Sequence, residues 1–293
     1  PVARLPLTPS GSERYLAAAS DRSTMSDDAE PDVNISGGSA GGGVDASFDP
    51  ETAGTRAEAV VDRLGELYWQ KRYGGRDGFE CLVRTILSQN TSDVASQPAH
   101  DALVERYGPI EALAGSLVDA PHDELAETIS GAGLYNQKAE SIQRAASWVL
   151  EAFGSTPAFD EFVRDGDPGE VRERLLSVKG VGPKTADCVL LFAGGQGGVF
   201  PVDTHVHRIY RRMGIAPPDA DHEGVREVLE RSVPAAKCGF GHTATIQFGR
   251  EYCTARKPAC LDDPDACPLA DVCDQVGVYP ETGEVEDPSE AAD

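Results

Sequence analysis

Leu175–Ala186 reads LLSVKGVGPKTA, and its interpretation decides the fold. An apolar helix end meets Gly180-Val181-Gly182, then Pro183, then a second apolar stretch through Val189 and Leu190. Pro183 suits a first helical turn, where its missing N–H costs nothing. The two glycines allow positive φ and leave backbone N–H groups uncovered. With the helix N-terminus that follows, those groups make a seat for a phosphate. The pattern is that of a helix-hairpin-helix, which holds the DNA backbone at Lys179, Gly180, Val181 and Gly182 without reading sequence. An ordinary turn between two helices can also carry Gly-Val-Gly, so this motif alone leaves both readings open.

The flanking residues favour the first reading. Lys184 stands at the start of the second helix. The helix dipole and nearby Lys179 disfavour its charged form, so its pKa should fall. A neutral amine is what a nucleophile requires. Val202-Asp203-Thr204-His205 follows some twenty residues later. A carboxylate at Asp203 can stabilise positive charge on a sugar or help to move a proton. The same Asp-Thr-His triplet is also good N-capping chemistry, and the two roles are compatible.

Four of the seven cysteines cluster near the end, as CTARKPACLDDPDACPLADVC over Cys253–Cys273. The ligand candidates Cys253, Cys260, Cys267 and Cys273 are spaced C-x6-C-x6-C-x5-C. Structural zinc usually draws on tight C-x2-C pairs, which are absent here. Four thiolates on longer loops suit a [4Fe-4S] cluster better, with zinc as the alternative. Disulfides do not suit a reducing cytoplasm. Arg256 and Lys257 lie in the first loop, within reach of phosphates. Cys81, Cys188 and Cys238 read as buried free thiols.

Around these motifs the chain is helical. Val60, Val61, Leu64, Leu67 and Tyr68 repeat at helix spacing, as do Phe79, Leu82, Val83, Ile86 and Leu87. Ile142, Ala145, Ala146, Val149 and Phe153 mark another helix, and Val225, Val228 and Leu229 one more. No alternating run is long enough to demand a sheet. The expected fold is all-α.

The 293 residues carry 49 acids against 26 bases, a net charge of -23. Such a surface keeps a protein hydrated at high salt, and the reading is a halophilic cytoplasm. Residues Arg174–Arg212 run against this balance, with six bases (Arg174, Lys179, Lys184, Arg208, Arg211, Arg212) and two acids (Asp187, Asp203), a net +4. A basic island on an acidic body can still meet DNA. In concentrated salt, binding would rest more on backbone contacts and shape than on counterion release. No apolar run approaches the ~20 residues of a membrane helix, and residues 1–25 lack a secretory signal. A cytoplasmic monomer is expected, without a membrane partner. Residues 1–55 hold a Gly/Ser/Ala tract and read as a disordered extension, with Met25 a candidate start. Residues 276–293 read as a solvated acidic tail.

Taken together, these residues resemble the endonuclease III family of DNA glycosylases. Four stretches carry the resemblance: Ile86–Asp93 (ILSQNTSD), Gly133–Glu140 (GLYNQKAE), the hairpin with Val202–His205, and the terminal cysteines. It spans about Ala57–Asp274. The resemblance implies a six-helix barrel domain over residues 71–197 and an iron-sulfur domain combining 56–70 with 198–275, flanking a DNA-binding cleft. It implies removal of oxidised pyrimidines from duplex DNA, then cleavage 3′ to the abasic site by β-elimination. Lys184 matches the family's Schiff-base lysine and Asp203 its catalytic aspartate; His205 falls among the DNA contacts. The chain departs from the family pattern twice. Six residues, Leu261–Ala266, separate the second and third cysteines instead of two. Asn90, preceded by Gln89, stands where a glutamine usually fills the gap left by the flipped base. Two other readings compete: a monofunctional mismatch glycosylase for uracil or thymine opposite guanine, and a non-catalytic iron-sulfur DNA-binding protein. The second has no need of Lys184 and Asp203 together.

Overall fold

A computed structural model of the chain describes residues 33–34, 46–69, 77–91 and 93–291. It is helical, with α1 (Arg56–Leu67), α2 (Gly78–Ser88), α3 (Asp93–Tyr107), α4 (Leu113–Asp119), α5 (His122–Thr128), α6 (Tyr135–Phe153) and α7 (Thr156–Asp165). Then come α8 (Pro168–Leu176), α9 (Pro183–Phe192), α10 (Thr204–Arg212), α11 (His222–Ser232), α12 (Ala235–Glu251), α13 (Ala259–Asp262) and α14 (Pro288–Ala291). The described strands are two-residue pairs: β1 (Val33–Asn34) parallel to β2 (Tyr68–Trp69), and β3 (Val278–Tyr279) antiparallel to β4 (Glu284–Val285). Helix starts follow capping chemistry. Thr55, Ser155, Asp167, Asp203 and Asp221 each accept a first-turn N–H, a contribution of about 1 kcal/mol apiece.

The apolar stripes bury into two separate cores. One is built from α2 through α9, with Phe79, Leu82, Ile86, Leu117, Ile142 and Phe159 at its centre. The other joins α1 to α10–α12, through Val61, Leu64, Phe200, Tyr210, Leu229 and Phe240. The chain passes from the first to the second between Val199 and Phe200. No described helix is long and apolar enough to cross a membrane.

Three expectations are corrected. The stretch read as a solvated acidic tail instead folds back as β3, β4 and α14. Val278 packs on Cys260 and Leu261, and Val276 N–H donates to Arg212 C=O at 2.8 Å. Asp287 pairs with Arg211 at 2.5 Å, and that partnership holds its carboxyl far below the usual carboxylate range despite the opposing cost of burial. Six acids and no base over residues 276–293 looked solvated, but one of them pairs with the buried Arg211 guanidinium. Asp287→Ala leaves the Arg211 side chain, only 5% exposed, without its carboxylate. It should lower unfolding free energy by about 1–2 kcal/mol, discounted because Asp287 is half-exposed, as read from thermal melts.

The second correction concerns residues 1–55. Most of that proposed extension lies outside the described residues, but its end is packed. Phe48 stacks on Phe240 with ring centroids 4.5 Å apart. It also lies over Gly65, where a Cβ would meet the ring at 2.4 Å.

Third, the basic island is not a continuous surface. Arg211 and Arg212 are buried, and Arg208 is partly buried. Arg212 donates to Thr254 C=O (2.8 Å) and Ala255 C=O (2.7 Å), and Arg208 to Cys253 C=O (2.8 Å). Two of the six bases therefore serve the cysteine loops, and Arg211 serves the C-terminal segment through Asp287.

Candidate active site

The hairpin joins α8 to α9. Gly180 adopts φ +102°, and a Cβ there would lie 2.8 Å from Ser141 Oγ, so both backbone and space require glycine. Gly182 differs from expectation. Its φ is −99°, and nothing stands within 4 Å of where its Cβ would be. Here the missing side chain clears an approach rather than relieving strain. Val181 N–H turns back to Val178 C=O, and Val181 is buried. The first N–H groups of the helix that Pro183 opens have no intrahelical acceptor, the usual state of a helix N-terminus. Lys179 is exposed beside them, and its C=O accepts from Arg144 Nη1 at 2.9 Å. Arg144, four residues after its partner Glu140, was missed by sequence reasoning; its pairing in the fold is nonlocal.

Lys184 follows in the first turn of α9 and lines a cleft of about 200 Å³. Gln89, Gly182, Thr185, Val202, Glu223 and Arg226 form other walls. Asp203 lies beside this cleft, next to Val202. Its Oδ1 accepts from His205 N–H and Val206 N–H, both at 2.9 Å, so the cap is real and is made by one oxygen alone. Behind the pair are two buried groups, Cys188 and His242. Lys184 hydrogen-bonds the Cys188 thiol, one helical turn along, and the charges of Lys184 and Asp203 both act on the His242 ring. Two side chains far apart in sequence thus act on the same buried histidine.

His242 engages Pro201 C=O, while its buried Nδ1 has no partner in the protein. Burial pushes its pKa down to about 4. The unfolded chain would take up a proton near 6.5, so between 6.5 and 4 the unfolded state binds more protons and stability rises with pH. That linkage amounts to about 3 kcal/mol once pH falls below the folded value. The melting temperature should drop across this window on acidification, and His242→Gln should flatten the slope; an unchanged slope would refute it.

The floor of the cleft is an ion network. Arg172 on α8 pairs with Asp187 on α9 at 2.7 Å and with Glu223 on α11 at 2.9 Å. Arg226 pairs with Glu223 and Glu230, and Glu230 accepts from Phe200 N–H at 3.1 Å. These contacts tie the two cores together beneath Lys184. Asp187 entered the sequence reading only as a charge; its burial depends on partners from other helices.

The other named residues divide. Gln89 Nε2 donates to Gly180 C=O and Thr185 Oγ1, each at 3.1 Å, which fixes it to the hairpin. Asn90 is exposed, with φ +52°. The His205 ring turns inward against Arg208 Nη2 (3.3 Å) and over Gly249, where a Cβ would sit 2.5 Å from Nδ1. The side chain is partly buried. Arg256 and Lys257 are exposed, and Lys257 pairs with Asp262, one of the inserted aspartates, at 3.0 Å. Leu134, which the sequence reading passed over, is 53% exposed with φ +47°.

All four terminal cysteines line one cavity with Arg212, Phe248 and Val278. Burial pushes the Cys267 and Cys273 thiols up, to about 12 and about 11, and neighbouring thiols add to this. Such a set is stable as thiolates only around a cation. Among the described residues no three His, Cys, Asp or Glu groups converge as a single ion would need. Four thiols lining one cavity fit a thiolate-bound metal group. Arg208 Nε and Arg212 Nε are buried without partners beside these loops, a further fit to an anionic thiolate cage.

Comparison with known proteins agrees. Residues 83–235 match the HhH-GPD superfamily of base excision DNA repair proteins, and residues 253–273 match the iron-sulfur binding domain of endonuclease III. Endonuclease III of Bacillus subtilis is 31% identical over 219 residues, 74% of this chain and 90% of the relative. Endonuclease III of Thermotoga maritima is 32% identical over 198 residues, 68% and 83% respectively. A trapped endonuclease III–DNA covalent intermediate superposes with a TM-score of 0.57 at 28% identity, covering 69% of this chain and 86% of that one. A thermostable thymine-DNA glycosylase, at 22% identity and a TM-score of 0.60, shares the fold. The chain is a base-excision DNA glycosylase with a [4Fe-4S] cluster, and it belongs to the endonuclease III family.

Proposed function

We propose that the enzyme is bifunctional, removing oxidised pyrimidines from duplex DNA and then cutting 3′ to the abasic site. The observation that carries this is Lys184, held on the cleft wall at the mouth of the hairpin, with the charge of Asp203 acting on the same buried His242. A C1′ carbon inside a duplex is out of reach, so the damaged nucleotide must leave the stack. The Lys184 amine attacks C1′ and the base departs with its glycosidic electron pair. A protonated imine forms between the nitrogen and C1′ as the sugar ring opens. That cation acidifies the C2′ proton; its loss expels the 3′ phosphate and leaves a conjugated double bond. Asp203 stabilises the cationic transition state by fixed charge while its other oxygen stays in the cap.

The phosphate seat is Gly180–Gly182 with Lys179, and Asn90 rather than Gln89 enters the gap left by the flipped base, because Gln89 is bound to the hairpin. Leu134, exposed on the adjoining loop, meets the opposite strand. Cys253, Cys260, Cys267 and Cys273 would hold the cluster, which supplies a covalent cross-link for the loop bearing Arg256 and Lys257. The two cores correspond to two domains flanking the DNA, in a monomer adapted to concentrated salt. Borohydride trapping tests the central claim, since it reduces the imine to a stable protein–DNA adduct. Duplexes carrying thymine glycol or an abasic site should both yield one, and no adduct with either would remove the Schiff-base mechanism.

A further inference from the structure

Lys138 lies in the first turn of α6 and is 3% exposed. Its Nζ donates to Leu87 C=O at 2.7 Å, Thr91 Oγ1 at 2.7 Å and Ala132 C=O at 2.8 Å. Thr91 Oγ1 in turn donates to Ala132 C=O at 2.5 Å. No carboxylate is among these partners, so the buried ammonium is balanced by neutral oxygens alone. That is a costly arrangement unless it holds something in place.

What it holds is two loops. Leu87 and Thr91 bracket the turn that presents Asn90, and Ala132 belongs to the turn that presents Leu134. Both presented residues are in the left-handed region, at φ +52° and +47°. For a leucine this is a strained backbone. Strain of that kind persists where surrounding contacts over-determine it, and it gathers at functional sites. Leu134 and Tyr135 are also the most exposed large apolar side chains among the described residues. Two strained, solvent-facing tips are therefore fastened to a single buried charge.

We propose that Lys138 is a positioning residue, whose ammonium fixes the spacing of the Asn90 and Leu134 tips so that they enter the duplex together when the damaged nucleotide is extruded. This rests on the glycosylase–lyase reading above. The Lys138 ammonium donates to Leu87, Thr91 and Ala132, none of which lines the cleft, so its effect should fall on opening the duplex and not on imine chemistry. A lysine that merely stabilises the fold would affect every substrate alike.

The test uses the full chain with its cluster and the near-isosteric Lys138→Met. Single-turnover β-elimination is measured on an abasic site in duplex DNA and on the same site inside an unpaired bubble, where no stack must be opened. Fluorescence of 2-aminopurine opposite the abasic site reports strand opening on binding. Lys138→Met should slow the duplex reaction on the order of 10²-fold, as expected for displaced positioning groups, and leave the bubble reaction unchanged. The 2-aminopurine rise should be lost. Thr91→Val, which removes one acceptor, should give the same split more weakly, and it decides the matter if Lys138→Met does not fold. Equal losses on both substrates, or an undiminished duplex rate, would overturn the proposal. If the wild type cuts neither substrate, the lyase reading falls instead. The fluorescence comparison then judges Lys138 alone, a rise retained in the variant overturning its role.

Discussion

Lys184→Ala should yield no borohydride adduct with duplex DNA carrying thymine glycol or an abasic site, and its strand cleavage should fall on the order of 10⁴- to 10⁶-fold. The size follows from the role: without the amine there is no imine, and no cation to acidify the C2′ proton. DNA binding should survive. The phosphate seat is made by backbone N–H groups, and Pro183 and Gly182, not the Lys184 side chain, set the start of α9. Asp203→Asn is the paired experiment. Asparagine keeps an oxygen to accept from His205 and Val206, so the cap of α10 persists while the charge is lost. Cleavage should fall on the order of 10²- to 10³-fold, with an unchanged melting temperature. An adduct that survives in Lys184→Ala would place the nucleophile elsewhere, with exposed Lys179 the first alternative.

Much of this site was legible in sequence because its chemistry is local. Gly180 needs positive φ for the turn, Pro183 opens a helix, and Asp203 caps the next one; each demand acts within four residues of its cause. The helices were legible for the same reason, as Val60, Val61 and Leu64 or Ile142, Ala145 and Ala146 form stripes that any packed helix must bury. What escaped notice depends on partners distant in sequence. Arg211 and Arg212 counted as surface charge until Asp287 and the carbonyls of Thr254 and Ala255 appeared opposite them. Gly182 was assigned a conformational role and proves to have a spatial one. His205 sits in the right motif, but the groove over Gly249 on α12 draws its ring inward. Lys138 lies in the GLYNQKAE stretch, but nothing local marks it as buried. Only the closure of the 87–91 and 132–134 turns around it shows why a charge is buried there.

Cys267→Ala should cost the purified protein its iron and brown colour and unfold the region it serves. Residues 253–273 contain the four-residue α13 and short single turns, which have little stability of their own. Side-chain anchors tie them to the rest of the protein: Arg208 and Arg212 hold the carbonyls of Cys253, Thr254 and Ala255, Arg56 holds Val272 C=O, and Arg63 pairs with Asp271. The cross-link through four thiolates therefore carries the segment; structural metal sites contribute on the order of 10 kcal/mol. In the variant the Cys260 and Cys273 thiols are pushed up by burial, toward protonated forms that bind metal poorly. Hydrogen exchange should become fast over residues 253–278, including β3, which packs on Cys260 through Val278. Exchange in α6 and α9 should stay slow, because their core is separate and complete without the cysteines. Duplex affinity should fall as Arg256 and Lys257 lose their fixed loop, while Lys184 still forms an imine at saturating DNA. Cys238→Ala is the control. That thiol is buried beneath Val233 and Pro234 carbonyls, away from the cysteine cavity, and iron content should be unaltered. Iron retained in Cys267→Ala, or equal loss in both variants, would rule out this four-thiolate assignment.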